Sequence, residues 1–161
     1  MSRLLILFVA LMHLDVFSAT FNATVTRVID GDTLIVHTTP KERQKIRLFG
    51  IDAPELRQRD GAKPGRYLMI RISGKPVTIV PTGTDTYGRT LAVVYDEFGT
   101  NMNQELVRLG LAWVYRKYSK NPDWLALESQ ARSQGIGIWR RKNPTPPWVY
   151  RNNKYRSKQK K

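Results

Sequence analysis

The sequence predicts an α+β domain of five strands and three helices around one core, and three observations carry that prediction. With 161 residues, 41% hydrophobic and 10% aromatic, the chain can bury one sizeable core but not two. From Thr24 to Tyr95 it offers short runs of β-branched and apolar residues, several alternating with polar ones, punctuated by Asp-Gly, Pro and Gly, as strands are. Beyond that, two stretches begin at asparagine and end at glycine, the punctuation of helices. There are no cysteines, so neither a disulfide framework nor a Cys-ligated metal site is possible.

The first stretch, Met1 to Met12, has a basic start and a short apolar run interrupted soon after by His13 and Asp15. That pattern reads as a secretory signal peptide over residues 1–18. Val16 suits a cut after Ser18, whereas Phe17 is a poor residue three before a cut after Ala19. A spanning helix needs roughly 20 apolar residues, so no stable membrane anchor is expected, and the protein should be exported to a periplasm or secreted into the medium. Removing Arg3 and Asp15 together leaves the net charge at +14.

The folded domain is expected over residues 19–141. Thr24 to Ile29 alternates, Asp30-Gly31 is a hairpin turn signal, and Thr33 to His37 resumes the run. A second turn over Pro40 to Gln44 leads to a third strand, Lys45 to Ile51, stopped by Ala53-Pro54. Asp60 to Gly65 reads as a loop, and Arg66 to Ile72 as a short helix ended by Gly74. Pro76–Val80 and Thr90–Tyr95 are the last two strands. Asn101 or Asn103 caps a helix that turns Leu106 and Val107 inward and stops at Gly110. Asn121-Pro122-Asp123 starts the last helix, with Trp124, Leu125, Leu127 and Ala131 on its apolar face and Gly135 beyond its end. Trp113, Trp124 and Trp139 are expected in the core.

Residues 142–161 differ in kind. From Arg140 to the end there are nine basic residues and no acidic ones, with three prolines, so an extended or disordered tail is expected. Trp148, Tyr150 and Tyr155 are interleaved with the charges, which suits either an arm that stacks on bases while neutralising phosphates or a solvated tail.

Charge narrows the partner. Lys and Arg number 27 against 13 Asp and Glu, a balance of +14 that draws in polyanions and makes their binding salt-dependent. Nucleic acid is the first partner to consider, an anionic membrane the second. The residues that could act on it sit at strand ends: Asp32 in Ile29-Asp-Gly-Asp-Thr33, Arg47 with Asp52 and Glu55, and Arg89 in Asp85-Thr-Tyr-Gly-Arg89. Phosphodiester hydrolysis needs a crowded, highly charged transition state neutralised and a water activated. Two arginines supply the first, a hard cation held by carboxylate and carbonyl oxygens adds to it, and a further carboxylate accepts the proton. No histidine constellation competes, because His13 falls in the expected signal peptide and His37 stands alone on a strand.

Those blocks, together with Asn103 to Ala112 and Glu128 to Trp139, resemble the staphylococcal nuclease family in order over residues 24 to 139. The resemblance implies a five-stranded OB-fold β-barrel with three helices. It implies a Ca²⁺ cofactor on the carboxylates of Asp32 and Asp52 and the main-chain carbonyl of Ala53, where the family usually has threonine. Arg47 and Arg89 would grip the scissile phosphate, Glu55 would be the general base, and cleavage of the 5′ P–O bond would leave 3′-phosphate ends. Tyr87 matches the family tyrosine that contacts the nucleotide, Arg116 stands where a second substrate-facing tyrosine is found, and Tyr118 would retain part of that surface. The segment between Glu55 and Asp85 is shorter than in the staphylococcal enzyme, so the loop and first helix beside the site must be reshaped. The implied substrate is single-stranded or locally open DNA and RNA, and the implied state a monomer. The rival classes are a non-catalytic OB-fold nucleic-acid-binding module, whose signature would be loss of Arg47, Glu55 or Arg89, and a cationic protein acting on membranes, which lacks the required amphipathic helix.

Overall fold

The alternation of apolar residues closes into a barrel. The structure, a computed structural model, describes residues 19–39 and 42–159, and the expected signal peptide lies outside the described residues. β1 (Phe21–Val28) and β2 (Thr33–Thr39) form an antiparallel hairpin across Asp30-Gly31, and β3 (Glu42–Leu48) pairs β2 from Thr33↔Arg47 to Thr39↔Glu42. Gly31 is required there by space, since a Cβ on it would stand 2.6 Å from that of Ala53 and 2.9 Å from that of Pro64. The third strand starts three residues earlier than expected, at Glu42, and ends at Leu48 rather than Ile51. Gly50, at φ +73°, turns the chain, so that Ile51–Asp52 becomes a separate strand, β4.

α1 (Ala62–Ile72) follows, then β5 (Pro76–Thr84) and β6 (Thr90–Tyr95). The helix takes in residues that read as loop, because Pro64 falls in its first turn, where no N–H is needed and φ is already helical. α2 (Met102–Arg108) is capped by the Asn101 side chain, and β7 (Trp113–Val114) pairs β4. α3 (Pro122–Ser133) is capped by the Asn121 side chain. The strand order β1-β2-β3-β6-β5 closes on itself, and every pairing is antiparallel except that of β3 with β6. This is the expected OB-type α+β barrel.

The core takes Val25, Leu34, Val36, Ile46, Leu48, Val77, Ile79, Ala92 and Val94 from the strands, Leu68 and Ile72 from α1, and Met102, Leu106 and Val107 from α2. Trp113 and Trp124 are buried. Trp139 is only half-buried, packed edge-on to Trp113 with the Arg132 guanidinium 4.1 Å over its ring. Four helices are present among the described residues, with a 3-10 turn at Gly137–Arg140.

The fourth helix corrects the expectation of an extended tail over 142–161. α4 spans Pro147–Gln159. Pro147 presets the first turn, and Trp148 stacks on Tyr115 at 5.4 Å and meets Trp113 edge-on at 6.5 Å. Composition argued against a self-supporting helix; packing against the barrel domain overrides it. No described helix is long and apolar enough to cross a membrane.

Asn103, fully buried on α2, bonds to the backbone of β6 and of the turn after β3. Its Oδ1 accepts from Val94 N at 3.1 Å, and its Nδ2 donates to Phe49 O at 2.9 Å and Ala92 O at 3.0 Å. Removing it strands buried donors and acceptors at the β3–β6 seam. Asn103→Ala should therefore lower the free energy of unfolding by roughly 3 kcal/mol, measured by denaturant titration; a loss under half that would mean the seam is held by other contacts.

Candidate active site

Two acidic side chains are buried at one edge of the barrel, and an arginine lies between them. Asp32, at the start of β2, and Asp52, in β4, are 8% and 1% exposed. Arg47 on β3 places Nη2 3.2 Å from Asp32 Oδ2 and 3.2 Å from Asp52 Oδ1. Its Nη1 donates to Leu48 O at 2.9 Å and Ile51 O at 3.1 Å. Asp32 Oδ2 also accepts from Ala53 N at 2.9 Å. Burial raises the Asp32 carboxyl to about 7, against the Arg47 charge, which lowers it, while Asp30 and Asp52 add to the rise. Like charges gathered out of water demand a cation.

Glu55 follows on the loop after β4, its side chain 39% exposed. Arg89 precedes β6 and donates from Nε to Asp85 Oδ2 at 2.6 Å. Burial pushes Asp85 up, but hydrogen bonds from the Arg89 backbone and side chain and from Tyr87 N hold it below the ordinary carboxylate range. Tyr87 is 83% exposed, with the Arg89 guanidinium 5.6 Å from its ring centre. Tyr118 is 54% exposed and packs edge-on to Tyr115 at 5.1 Å. Asp32, Arg47, Asp52, Ala53, Glu55, Tyr87, Arg89 and Tyr118 all line one cleft of about 980 Å³.

Arg116 is not brought to this cleft. Conversely, the cleft is also lined by Tyr115, Tyr150, Arg151, Lys154 and Tyr155, which sequence reasoning did not assign to the site. Arg151 donates from Nη2 to Asp52 Oδ2 at 2.7 Å and from Nη1 to Glu55 Oε1 at 2.7 Å. The available signal was helical spacing: positions 150, 151, 154 and 155 share one face once the segment is a helix.

The donor chemistry fits a hard divalent cation. Both buried carboxylates reach the same Arg47 nitrogen, so their oxygens face a common point already occupied by positive charge. Oxygen donors of this kind suit Ca²⁺. Among the described residues no cluster of three or more His, Cys, Asp or Glu surrounds them, so carbonyl groups and water would complete the shell.

Residues 45–141 match the family described as Staphylococcal nuclease homologue. The chain is 41% identical over 139 residues to an "Uncharacterized endonuclease" of Escherichia coli, covering 86% of this chain and 90% of that one. It is 41% identical over 127 residues to an "Uncharacterized endonuclease" of Haemophilus influenzae, covering 79% and 71%. To a "Micrococcal nuclease" of Shigella flexneri it is 36% identical over 143 residues, covering 83% and 82%.

Arg116, whose side chain is half exposed, pairs with a buried carboxylate. Glu128 on α3 is 1% exposed, accepts from Val114 N at 3.0 Å, and pairs with Arg116 at 2.7 Å and Arg132 at 3.2 Å. It thereby ties β7, and through β7 the β4 strand that carries Asp52, to α3. Glu128→Ala leaves a buried N–H unpaired and should cost roughly 3 kcal/mol of stability, visible as a fall in Tm; an unchanged Tm would mean the two arginines hold Glu128 without strengthening the fold.

Proposed function

The chain belongs to the staphylococcal nuclease homologue family, and from that premise we propose that it is a Ca²⁺-dependent nuclease hydrolysing phosphodiester bonds of DNA and RNA to leave 3′-phosphate ends. The observation that carries this reading is the convergence of Asp32, Arg47, Asp52, Glu55 and Arg89 on one cleft in a chain of net charge +14. None of the residues whose loss would mark a binding-only module is missing.

The side chains divide the work. Arg89 commits Nε to Asp85, which fixes the guanidinium plane and leaves both Nη groups to grip a phosphate in bidentate fashion. Arg47, anchored through Nη1 on two carbonyls, presents Nη2 to the scissile phosphate at the expense of its ion pairs. Glu55, partly exposed, accepts a proton from the attacking water. The new O–P bond forms as the P–O5′ bond breaks, and the 5′ oxygen takes up a proton from water. When bound to Asp32, Asp52 and the Ala53 carbonyl, Ca²⁺ would supply further neutralisation of the developing charge. The substrate in this reading is single-stranded or locally open DNA and RNA. The reading includes a monomer and export through residues 1–18.

Purified mature protein should cut single-stranded DNA with Ca²⁺ and stop in excess chelator, and the new ends should carry 3′-phosphates. Binding without cleavage under every divalent metal tried would make the protein a binding module. Glu55→Gln and Arg89→Lys should each lower kcat by roughly a hundredfold or more with circular dichroism unchanged; near-normal turnover in both would overturn the assigned roles.

A further inference from the structure

The sequence leaves residues 142–161 open between a stacking arm and a solvated tail, and α4 turns that into a question of geometry. Its first turn is held by Trp148 against Tyr115 and Trp113. Tyr150, Arg151, Lys154 and Tyr155 then fall on one helix face, and that face lines the cleft. Arg151 reaches the centre, shared between Asp52 and Glu55. Further along, Lys154 is exposed and Tyr155 is 65% exposed. Tyr87, also exposed, lines the same cleft.

Exposed tyrosines around a cationic rim have a chemistry that fits a flexible polyanion with flat faces. Bases stack on the rings and phosphates pair with lysine and arginine, whatever the base sequence. A guanidinium that bridges two carboxylates can take a phosphate in the same bidentate geometry.

We propose that α4 is a second wall of the substrate cleft, on which Lys154 and Tyr155 hold a single nucleic-acid strand beside the scissile phosphate while Arg151 exchanges its carboxylate partners for that strand. The proposal rests on the nuclease reading of the site. It assigns substrate contacts to a helix beyond the residues 45–141 that match the family. Bound to Asp52 and Glu55, Arg151 holds α4 in place in the free protein, and its transfer to a substrate phosphate draws the strand toward Glu55.

The test is equilibrium binding of a short fluorescein-labelled single strand to the full chain in excess chelator, across a series of salt concentrations. Lys154→Ala with Tyr155→Ala, both exposed positions, should bind roughly tenfold more weakly. The slope of log affinity against log salt should fall by about one. Arg43→Ala, which removes the same charge from the far end of β3, should bind as the wild type does. Equal affinity and slope in the double variant would overturn the proposal. So would a rise in Ca²⁺-dependent cleavage on Arg151→Ala, which would make α4 an inhibitory cover. A wild-type protein that neither binds nor cuts the strand would instead sink the nuclease reading itself, before any variant is compared.

Discussion

The parallel pairing of β3 with β6 is the constraint on which the rest of the molecule depends. Antiparallel hairpins can form locally, but a barrel has no free edge only when its first and last surfaces meet. Here the closing ladder runs Ile46↔Thr90, Arg47↔Leu91, Leu48↔Ala92, and it brings Arg47 and Arg89, distant in sequence, to one cleft. Asn103 secures the seam from α2 by bonding backbone on both sides of it. Fold closure and site assembly are therefore one event.

Charge compensation is the second constraint. Asp32 and Asp52 are buried close together, which is unfavourable unless positive charge is supplied. In the structure Arg47 supplies it to both, and Arg151 adds a second guanidinium at Asp52 and Glu55. The same arrangement that destabilises isolated carboxylates makes the position selective for cations. Glu128 follows the same rule elsewhere, buried but bracketed by Arg116 and Arg132; it stabilises the platform under β4 and β7 rather than the chemistry.

Much of this was legible in sequence because it is local. The Asp30-Gly31-Asp32 turn, the glycine stops and the Asn101 and Asn121 caps depend on residues a few positions apart. Boundaries failed where one residue had two readings. Pro64 marked a loop in sequence yet sits in the first turn of α1, and Gly50 split an expected single strand into β3 and β4. Arg116 read as substrate-facing because it stands where the resembled family has a tyrosine, and nothing nearby in sequence reveals its ion pair with Glu128 on α3. The basic composition of 142–161 argued for disorder, and the contacts of Trp148 with Tyr115 and Trp113 and of Arg151 with Asp52 and Glu55, all distant in sequence, hold it as a helix against the domain.

The sequence by itself determined the α+β class, the periodicity of the strands, the candidate carboxylates and arginines, and the attraction to polyanions, because each follows from side-chain chemistry or from neighbours along the chain. Tertiary structure alone decided which of those groups share a cleft, that Arg116 pairs with the buried Glu128, that Arg151 reaches Asp52 and Glu55, and that Tyr150, Lys154 and Tyr155 line the same cleft. Those outcomes depend on barrel closure and on packing between distant segments, and no local pattern encodes a partner that the chain meets only after it has folded.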